Sequence, residues 1–406
     1  MSAKGVGVQN KESGLATLQK RWINLVVILL FGVGIRFLLA PAGASRDVYV
    51  WMKTGWAVVN SLSTLYSFRW GYEYPPLWGF ICGLVYVLYP AASMLDPVFL
   101  VLIKTPLIVA DVITFYSLYR LFRSFLKDNE ALLFGVLFFL NPFVILVSAF
   151  YGFFDPLAVM FLVVMIYFLH SRDLFKAGLT AGLAVLTKQY AFPVVLVLAF
   201  LFGKRLDFQK ALVFLGTIVV AFVLGSAPFL FYDFWGYTRA LVYTTPGSIE
   251  ASCTGLWSVL FGLTRHTPFE VFDWWPWLGE ASYYVFYALM AVPVLIVVFS
   301  RKISFDVNRA CLLEVLIFLC FSPIVHSQYL LLFIPFTVVG IAAKELPRFW
   351  YLLTLLPLIT FIPSILPTWL LFLVRSAGLF LALVALLLRV GVDFYNGRPS
   401  KLSSIS

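Results

Sequence analysis

Long apolar runs, separated by short polar turns that carry Lys or Arg, dominate the chain from residue 22 onwards. A membrane-spanning helix needs roughly 20 apolar residues, so these runs predict transmembrane helices. The first covers residues 22–41, after a polar segment that contains Lys4, Lys11, Lys20 and Arg21. The other predicted spans are 97–119, 131–150, 154–170, 211–231, 281–300, 310–325, 328–343, 349–366 and 368–388.

Two apolar stretches do not fit single full crossings. Residues 76–91 form a short run that opens with Pro75-Pro76, so we expect it to lie in the interface or to re-enter the membrane. Residues 177–203 must leave one side of the membrane and return to it, because Lys176 precedes the run and Lys204 and Arg205 follow it. We therefore predict two half-helices that meet near Thr187-Lys188-Gln189-Tyr190. Non-helical backbone at that depth is tolerated only where it lines a cavity.

The composition agrees with a membrane protein. The 406 residues have a mean hydropathy of +0.97 and are only 12% charged, against roughly 25% in a soluble domain. This excludes a soluble globular protein and a disordered one. The sequence thus predicts an all-α polytopic membrane protein with about 11 to 13 transmembrane or re-entrant helices.

The net charge of +10 comes from 29 Lys and Arg against 19 Asp and Glu. In a soluble protein this excess would suggest nucleic acid, but cytoplasmic loops of membrane proteins carry such an excess. We therefore expect no nucleic-acid partner, and both termini in the cytoplasm. The predicted organisation is an N-terminal tail (1–21), one transmembrane domain (22–390) with two long outer loops (42–74 and 232–280), and a C-terminal tail (391–406).

A few charged residues lie away from this basic cytoplasmic rim. Asp47 follows the first span, Glu73 ends the first outer loop, and Asp155 and His326 lie at outer turns; Lys188 lies at the membrane break. The topology places the first four on one side. Lys188 can approach that side at the tip of its half-helix pair, so these residues could share an outward cavity. Each also has a structural alternative: Asp47 could pair with Arg46 or cap a helix, and Asp155 could cap the helix that begins at Pro156. Glu73 could pair with Arg69, and His326 could be a satisfied turn residue.

Five further charges fall inside apolar runs. For Lys104, Asp111 and Glu314 we favour structural pairing. Arg36 can extend its side chain outward from the end of its span, and Arg375 lies near the outer end of the last span, where it could face the cavity.

Metal and nucleotide chemistry have little support in the sequence. No Asp-x-Asp occurs, since Tyr49 stands two residues after Asp47 and Leu157 two after Asp155. The three histidines and four cysteines are scattered, and no phosphate-binding loop of the Gly-rich Lys-Ser/Thr type appears. An enzyme driven by a cytosolic nucleotide or nucleotide sugar is therefore disfavoured.

These motifs together resemble the GT-C superfamily of integral-membrane glycosyltransferases, with the dolichyl-phosphate-sugar-dependent glucosyl- and mannosyltransferases as the nearest type. The run Glu73-Tyr74-Pro75-Pro76-Leu77 is similar to their Asp-Tyr-Pro-Pro-Leu. Lys188-Gln189 looks like their Lys-Gln pair at a membrane break, and Val325-His326-Ser327-Gln328 looks like their Val-His-Glu-Lys turn. The chain departs from the pattern in Glu for Asp and in Ser-Gln for Glu-Lys.

The resemblance implies a GT-C-like fold and an inverting transfer of a hexose, with mannose favoured over glucose. The donor would be a polyprenyl- or dolichyl-phosphate sugar, and the acceptor a hydroxyl of a lipid-linked glycan or glycolipid on the outer or lumenal side. It implies Asp47 as general base and His326, Gln328 and Lys188 as donor-phosphate-binding residues. Auxiliary residues toward sugar or acceptor would be Asp155, Glu73, Tyr74, Gln189, Tyr329 and Arg375.

No cofactor is required by this interpretation, and a divalent metal is allowed but not favoured. The expected partners are the lipid donor, the lipid-linked acceptor and membrane lipids; a monomer is favoured, with an accessory subunit left open. The membrane would be the plasma membrane of a prokaryote or the endoplasmic reticulum of a eukaryote. Two other classes remain open: a secondary transporter or lipid flippase with an outward polar cavity, and an inactive scaffold subunit.

Overall fold

A computed structural model describes residues 5–67, 71–205, 208–242, 255–257, 259–260, 275–299, 306–361 and 373–396. Within these ranges every regular element is a helix, which confirms the predicted all-α class. In chain order the α-helices are α1 (Gly5–Leu39), α2 (Asp47–Asn60), α3 (Pro76–Leu88), α4 (Pro97–Phe122), α5 (Asp128–Phe139), α6 (Pro142–Ile145), α7 (Asp155–His170), α8 (Leu174–Thr187), α9 (Ala191–Arg205), α10 (Phe208–Tyr232), α11 (Phe234–Val242), α12 (Trp275–Phe299), α13 (Val307–Phe321), α14 (Phe333–Ala342) and α15 (Leu379–Tyr395).

Several helices continue in, or follow, tighter or wider turns. These segments are the 3-10 helices Leu62–Thr64, Ser327–Leu331 and Arg348–Phe361 and the π-helices Leu146–Tyr151 and Leu373–Gly378.

Five segments of the described chain are long and apolar enough to cross a membrane: Trp22–Leu39, Pro97–Phe122, Phe208–Tyr232, Ala281–Phe299 and Ser376–Tyr395. Their outer surfaces keep large apolar side chains exposed, such as Leu30 at 69% and Leu224 at 70%. A contiguous apolar belt of this kind fits lipid and not water. The chain is therefore an integral, multi-pass membrane protein.

The predicted span 131–150 is broken in the structure. Helices α5 and Pro142–Tyr151 meet at a bend of 48°, because Pro142 cannot donate a backbone hydrogen bond. The Asn141 side chain caps the second helix by accepting from the Phe143 backbone N–H at 2.9 Å. The hydrophobic pattern did not predict this break, because apolar residues continue on both sides of it.

The predicted break near residues 187–190 is confirmed. Helix α8 ends at Thr187, Lys188 has an extended backbone (φ −155°, ψ 138°), and α9 begins at Ala191. At about 1.5 Å per residue neither half crosses a bilayer alone. The short helix α3 is likewise shorter than a full span, in agreement with the expectation for residues 76–91.

Parts of the predicted tails and loops are helical. Helix α1 already begins at Gly5, inside the predicted N-terminal tail, and α15 runs to Tyr395, inside the predicted C-terminal tail. The first outer loop contains α2, a helix of 14 residues. Of the second outer loop, 232–280, the structure describes mainly α11 and the start of α12.

An aromatic core joins α2, α3 and α11 to α4, α7 and α10. Trp78 stacks on Phe154 with ring centroids 5.3 Å apart, and Trp51 meets Phe154 edge to face at 5.1 Å. Rigid aromatic packing of this kind fixes α2, α3 and α11 against the bundle. A second, larger core lies along the helices of the bundle itself.

The charges inside apolar runs have different outcomes. Arg36 does not extend outward: it is fully buried, and its Nε donates to Asp111 Oδ2 at 2.8 Å. The structural pairing expected of Asp111 is thus confirmed. Lys104 pairs with backbone carbonyls and not with an acid, whereas Glu314 is buried with no hydrogen-bond partner for its Oε2 within the described residues.

Candidate active site

The segment that carries Asp47 is fastened to the segment that carries Asp155. The buried Lys104 ammonium donates to the carbonyls of Ala40 at 2.6 Å and Phe150 at 2.8 Å, and also to that of Gly43. A buried cation needs such partners, since an unpaired one is costly. A backbone bond from Ser45 N–H to Tyr151 O at 2.9 Å adds to this connection.

Gly152 allows the two segments to approach closely. It ends the π-helix with φ +73°, a left-handed conformation that glycine adopts without strain. A Cβ there would lie 3.0 Å from Lys104 Cε and 3.2 Å from Val48 Cγ2. Its carbonyl accepts from Trp51 Nε1 at 3.4 Å. The turn thus brings Asp155 toward the first turn of α2, where Asp47 lies.

Asp155 and Lys188 form a buried ion pair, with Lys188 Nζ 2.8 Å from Asp155 Oδ1. The same oxygen accepts from the Tyr190 hydroxyl at 2.8 Å. Asp155 does not cap α7, because it lies in the first turn and the N-cap is Phe154. Its other oxygen, Oδ2, is buried and accepts from no donor among the described residues. One acceptor of this carboxylate therefore remains available for a ligand hydroxyl.

Aromatic rings surround the Lys188 ammonium. Nζ lies 4.4 Å from the ring centroids of Phe154 and Tyr329, and 5.2 and 5.3 Å from those of Tyr190 and Tyr74. Ring faces attract a desolvated cation. Together with Asp155 they allow a positive charge to persist at a side chain that is only 2% exposed.

Asp47 and His326 are half-buried beside this core. Burial raises the pKa of the Asp47 carboxyl above its usual value, while the nearby charges of Lys188 and His326 lower it and that of Asp155 raises it. The net shift is upward. The structure therefore brings Asp47, His326, Asp155 and Lys188 within electrostatic reach of one another, as the topology argument expected.

The Glu73-Tyr74-Pro75-Pro76 run reaches the same place through its backbone and Tyr74. Gln189 Nε2 donates to the carbonyl of Glu73 and, at 3.4 Å, to that of Ala240. The Glu73 side chain is exposed. Tyr74 meets Phe154 edge to face at 4.9 Å. Arg69, the pairing alternative for Glu73, lies outside the described residues.

The distal turn contributes from the opposite side. Tyr329 meets His326 edge to face at 5.2 Å and Tyr190 at 5.4 Å, and Gln328 is buried beside them. The turn is a 3-10 helix in which Tyr329 N–H donates to His326 O at 3.0 Å. Arg375 lies in the π-helix Leu373–Gly378, and its side chain is outside the described set.

Sequence reasoning missed four residues of this arrangement: Trp51, Lys104, Phe154 and Tyr190. Phe154 and Tyr190 are direct neighbours of Asp155 and Gln189, so adjacency to a selected residue was the available signal. Lys104 was noticed only as a charge in an apolar run, and nothing in the sequence links Trp51 to the site.

Comparison with known proteins adds an independent observation. Residues 75–232 match the family model described as dolichyl-phosphate-mannose-protein mannosyltransferase. The matched segment contains Asp155, Lys188 and Gln189 but neither Asp47 nor His326. No curated protein matches the chain.

Among solved structures, the chain is similar to the crystal structure of ArnT from Cupriavidus metallidurans bound to undecaprenyl phosphate. That similarity covers 94% of this chain and 73% of the other, with a TM-score of 0.48 and 16% sequence identity. The family match covers residues 75–232, less than half of the chain, and over that segment it agrees with the resemblance to dolichyl-phosphate-sugar-dependent mannosyltransferases.

Proposed function

We propose that this protein transfers a hexose, with mannose favoured over glucose, from a polyprenyl- or dolichyl-phosphate sugar to a hydroxyl of a lipid-linked glycan or glycolipid. The transfer inverts the anomeric centre and takes place at the outer or lumenal side. The observation that carries this proposal is the convergence of Asp47, His326, Asp155 and Lys188. The family described by its dolichyl-phosphate-mannose donor supports the donor class and the choice of mannose.

Asp47 acts as the general base. The acceptor hydroxyl gives its proton to the Asp47 carboxylate while its oxygen forms a bond to the anomeric carbon. The bond from that carbon to the phosphate oxygen breaks, and its electron pair leaves with the phosphate monoester. A raised pKa suits this role, because a base is most effective when its pKa approaches the working pH. One displacement inverts the configuration.

His326 and Gln328 stabilise the leaving phosphate. His326 is half-buried, and its charge acts on Asp47, so the proposed phosphate position and the base belong to one site. Donors fixed in a site of low dielectric stabilise developing negative charge strongly. Lys188 adds positive charge, and since Asp155 holds its ammonium at 2.8 Å it acts through space unless it exchanges partners.

The remaining residues bind and orient the sugar and acceptor. Asp155 Oδ2 accepts a ligand hydroxyl, since it lacks a donor within the described structure. Glu73, Tyr74, Gln189, Tyr329 and Arg375 complete the proposed auxiliary set. No metal is required, because a phosphate monoester carries less charge than a diphosphate and the sequence has no Asp-x-Asp.

The experiment uses the purified full chain in lipid nanodiscs with mannose- or glucose-labelled polyprenyl phosphate and a lipid-linked glycan acceptor. We expect release of polyprenyl phosphate together with a glycosylated acceptor, and a His326→Ala variant that lowers kcat more than it raises the acceptor KM. If His326→Ala changed only acceptor affinity, its assignment to the phosphate would be wrong.

A transporter or flippase is the alternative, and a scaffold subunit is a third reading. Sealed vesicles separate them: a flippase would move the labelled lipid between leaflets without consuming it, and a scaffold would do neither. If the donor were consumed in the absence of acceptor, and faster than in the buffer control, the activity would be hydrolysis.

A further inference from the structure

A cavity of about 400 Å³ lies far from the active site, at the other end of the bundle. Its walls come from the α4–α5 connection, the start of α5, the end of α14, the turn that follows it, and α15. The lining residues are Leu126, Glu130, Phe134, Ile341, Ala342, Lys344, Glu345, Leu346, Pro347, Arg348 and Arg389. These are segments whose basic residues predict the cytoplasmic side.

The cavity has an excess of positive charge. Of its two acids, Glu345 shares the buried Arg309 with Asp306, at 3.4 and 3.2 Å. Of its three cations, Arg389 lies 3.2 Å from Asp393. Lys344 and Arg348 take part in no ion pair within the part of the chain that the structure describes. Against these two exposed cations the cavity has one further acid, Glu130. An anion is therefore the ligand that this charge distribution favours.

The surroundings indicate that the anion belongs to a lipid. Next to the cavity residues along the chain are large exposed apolar side chains: Leu133 at 55%, Phe349 at 61%, Leu352 at 65% and Leu388 at 64%. The cavity walls themselves include Leu126, Phe134 and Ile341. A soluble anion gains nothing from apolar walls that continue into a lipid-facing surface, whereas a phospholipid can place its headgroup on the cations and its chains along that surface.

Lys344, which lines the cavity, lies in a turn with a left-handed backbone conformation. It follows α14 with φ +63°, and the Glu345 and Leu346 N–H groups both donate to Gly340 O, at 2.9 and 3.1 Å. Glycine is the usual residue at such a helix end. The conformation of this turn therefore does not account for a lysine at this position.

We propose that this cavity binds the phosphate headgroup of an anionic phospholipid from the cytoplasmic leaflet, with Lys344 and Arg348 as the main contacts. The alternative is that these cations only contribute to the general positive charge of cytoplasmic segments. That alternative requires neither a cavity nor a particular pair of residues. The two accounts differ in which basic residues matter.

The experiment measures lipid retention by native mass spectrometry on the purified full chain, titrated with phosphatidylglycerol or phosphatidylcholine. We expect preferential retention of phosphatidylglycerol, and more than about tenfold weaker retention in the double variant Lys344→Gln/Arg348→Gln. The matched control Arg120→Gln/Lys210→Gln removes two exposed cations of the same predicted side that do not line the cavity. It should retain the lipid as the wild type does.

Two further variants keep the result interpretable if the double variant folds poorly. Lys344→Arg/Arg348→Lys preserves both charges and should retain the lipid within about threefold of the wild type. Glu130→Gln removes the remaining acid and should tighten retention several-fold, which misfolding cannot imitate. Equal losses in the Arg120/Lys210 control, equal retention of phosphatidylcholine, or displacement by millimolar inorganic phosphate would each overturn the proposal.

Discussion

Two buried ion pairs, Arg36–Asp111 and Lys188–Asp155, differ in what surrounds them. In the first, Arg36 Nε donates to Asp111 Oδ2 at 2.8 Å, and its other nitrogens donate to the carbonyls of Gly32 and Phe139 at 3.0 and 2.7 Å. Ser148 Oγ also donates to Asp111 Oδ2 at 2.7 Å. All three nitrogens of the Arg36 guanidinium donate hydrogen bonds, and both bonds to Asp111 reach its Oδ2.

The second pair, Asp155 and Lys188, is equally buried but lies near other titratable side chains. Asp155 Oδ2 accepts from no described donor, and half-buried Asp47 and His326 lie within electrostatic reach. Buried polar groups are normally satisfied, and an unsatisfied one calls for an explanation such as a ligand. The comparison indicates that Arg36–Asp111 is structural and that Asp155–Lys188 belongs to the site.

The chemistry of the two cations fits this division. An arginine stays charged wherever it is buried, so it suits a permanent pair. A lysine can lose its proton when its partner is removed, and its charge can therefore respond to what binds beside it.

The largest effect is expected from Asp111→Asn. It leaves the Arg36 guanidinium buried without a counter-charge, which costs about 3–5 kcal/mol of folding stability. Denaturant unfolding in detergent measures this, and the turnover per folded molecule should stay near that of the wild type. The matched control is Asp128→Asn, which breaks a pair with Arg123 whose side chains are 34% and 48% exposed, and which should cost about 1 kcal/mol or less. A stable but inactive Asp111→Asn protein would contradict the structural assignment.

Asp155→Asn should reverse this pattern. Lys188 can give up its proton and keep its aromatic surroundings, so the loss of stability should be smaller than for Asp111→Asn. The turnover should fall about 100-fold, because the charge that positions sugar and acceptor is removed. Turnover assays on matched amounts of folded protein check this. Wild-type turnover in this variant would remove Asp155 from the site.

Tyr190→Phe tests a smaller contribution. It removes one of the two donors to Asp155 Oδ1, and a neutral hydrogen bond contributes about 0.5–1.5 kcal/mol. We expect kcat to fall about 3- to 10-fold, with stability nearly unchanged. Tyr89→Phe is the control, since Tyr89 donates to Asp96 Oδ2 at 2.8 Å outside the site. Equal effects of the two substitutions on kcat would argue against a positioning role for Tyr190.

The smallest predicted effect concerns pH. Because burial raises the pKa of Asp47, the acid limb of kcat/KM should lie above the usual carboxyl value of about 4. Activity should be present above that limb and be lost as pH falls through it. Lys188 lowers the Asp47 pKa, so Lys188→Met should move the limb upward. A limb that moves downward, or does not move, would show that Lys188 does not act on Asp47.

Much of the bundle could be predicted from the sequence because apolar length is a local property. The long runs predicted both ends of α4 and α10 to within three residues, and the basic ends of residues 177–203 required the break that Lys188 occupies. The bend at Asn141 was missed because Asn-Pro is a weak signal within a continuous apolar run.

The site was predicted in part, for a related reason. Asp47, Asp155, Lys188 and His326 became candidates because they lie away from the basic cytoplasmic rim. The predicted topology allowed all four to reach one side. Which acid pairs with which cation depends on helix packing between residues far apart in the chain. Arg36 and Asp111 are separated by 75 positions, and no periodicity links them. The same limit explains why Arg36 was expected to extend outward.

The general-base assignment of Asp47 is the centre of this account, and Asp47→Asn tests it most directly. The measurement is single-turnover transfer from a labelled polyprenyl-phosphate sugar by the purified variant, alongside donor binding to the same preparation. We expect transfer to fall by about 100- to 10,000-fold while donor binding and folding stay near wild type. Transfer at a rate close to that of the wild type would contradict it.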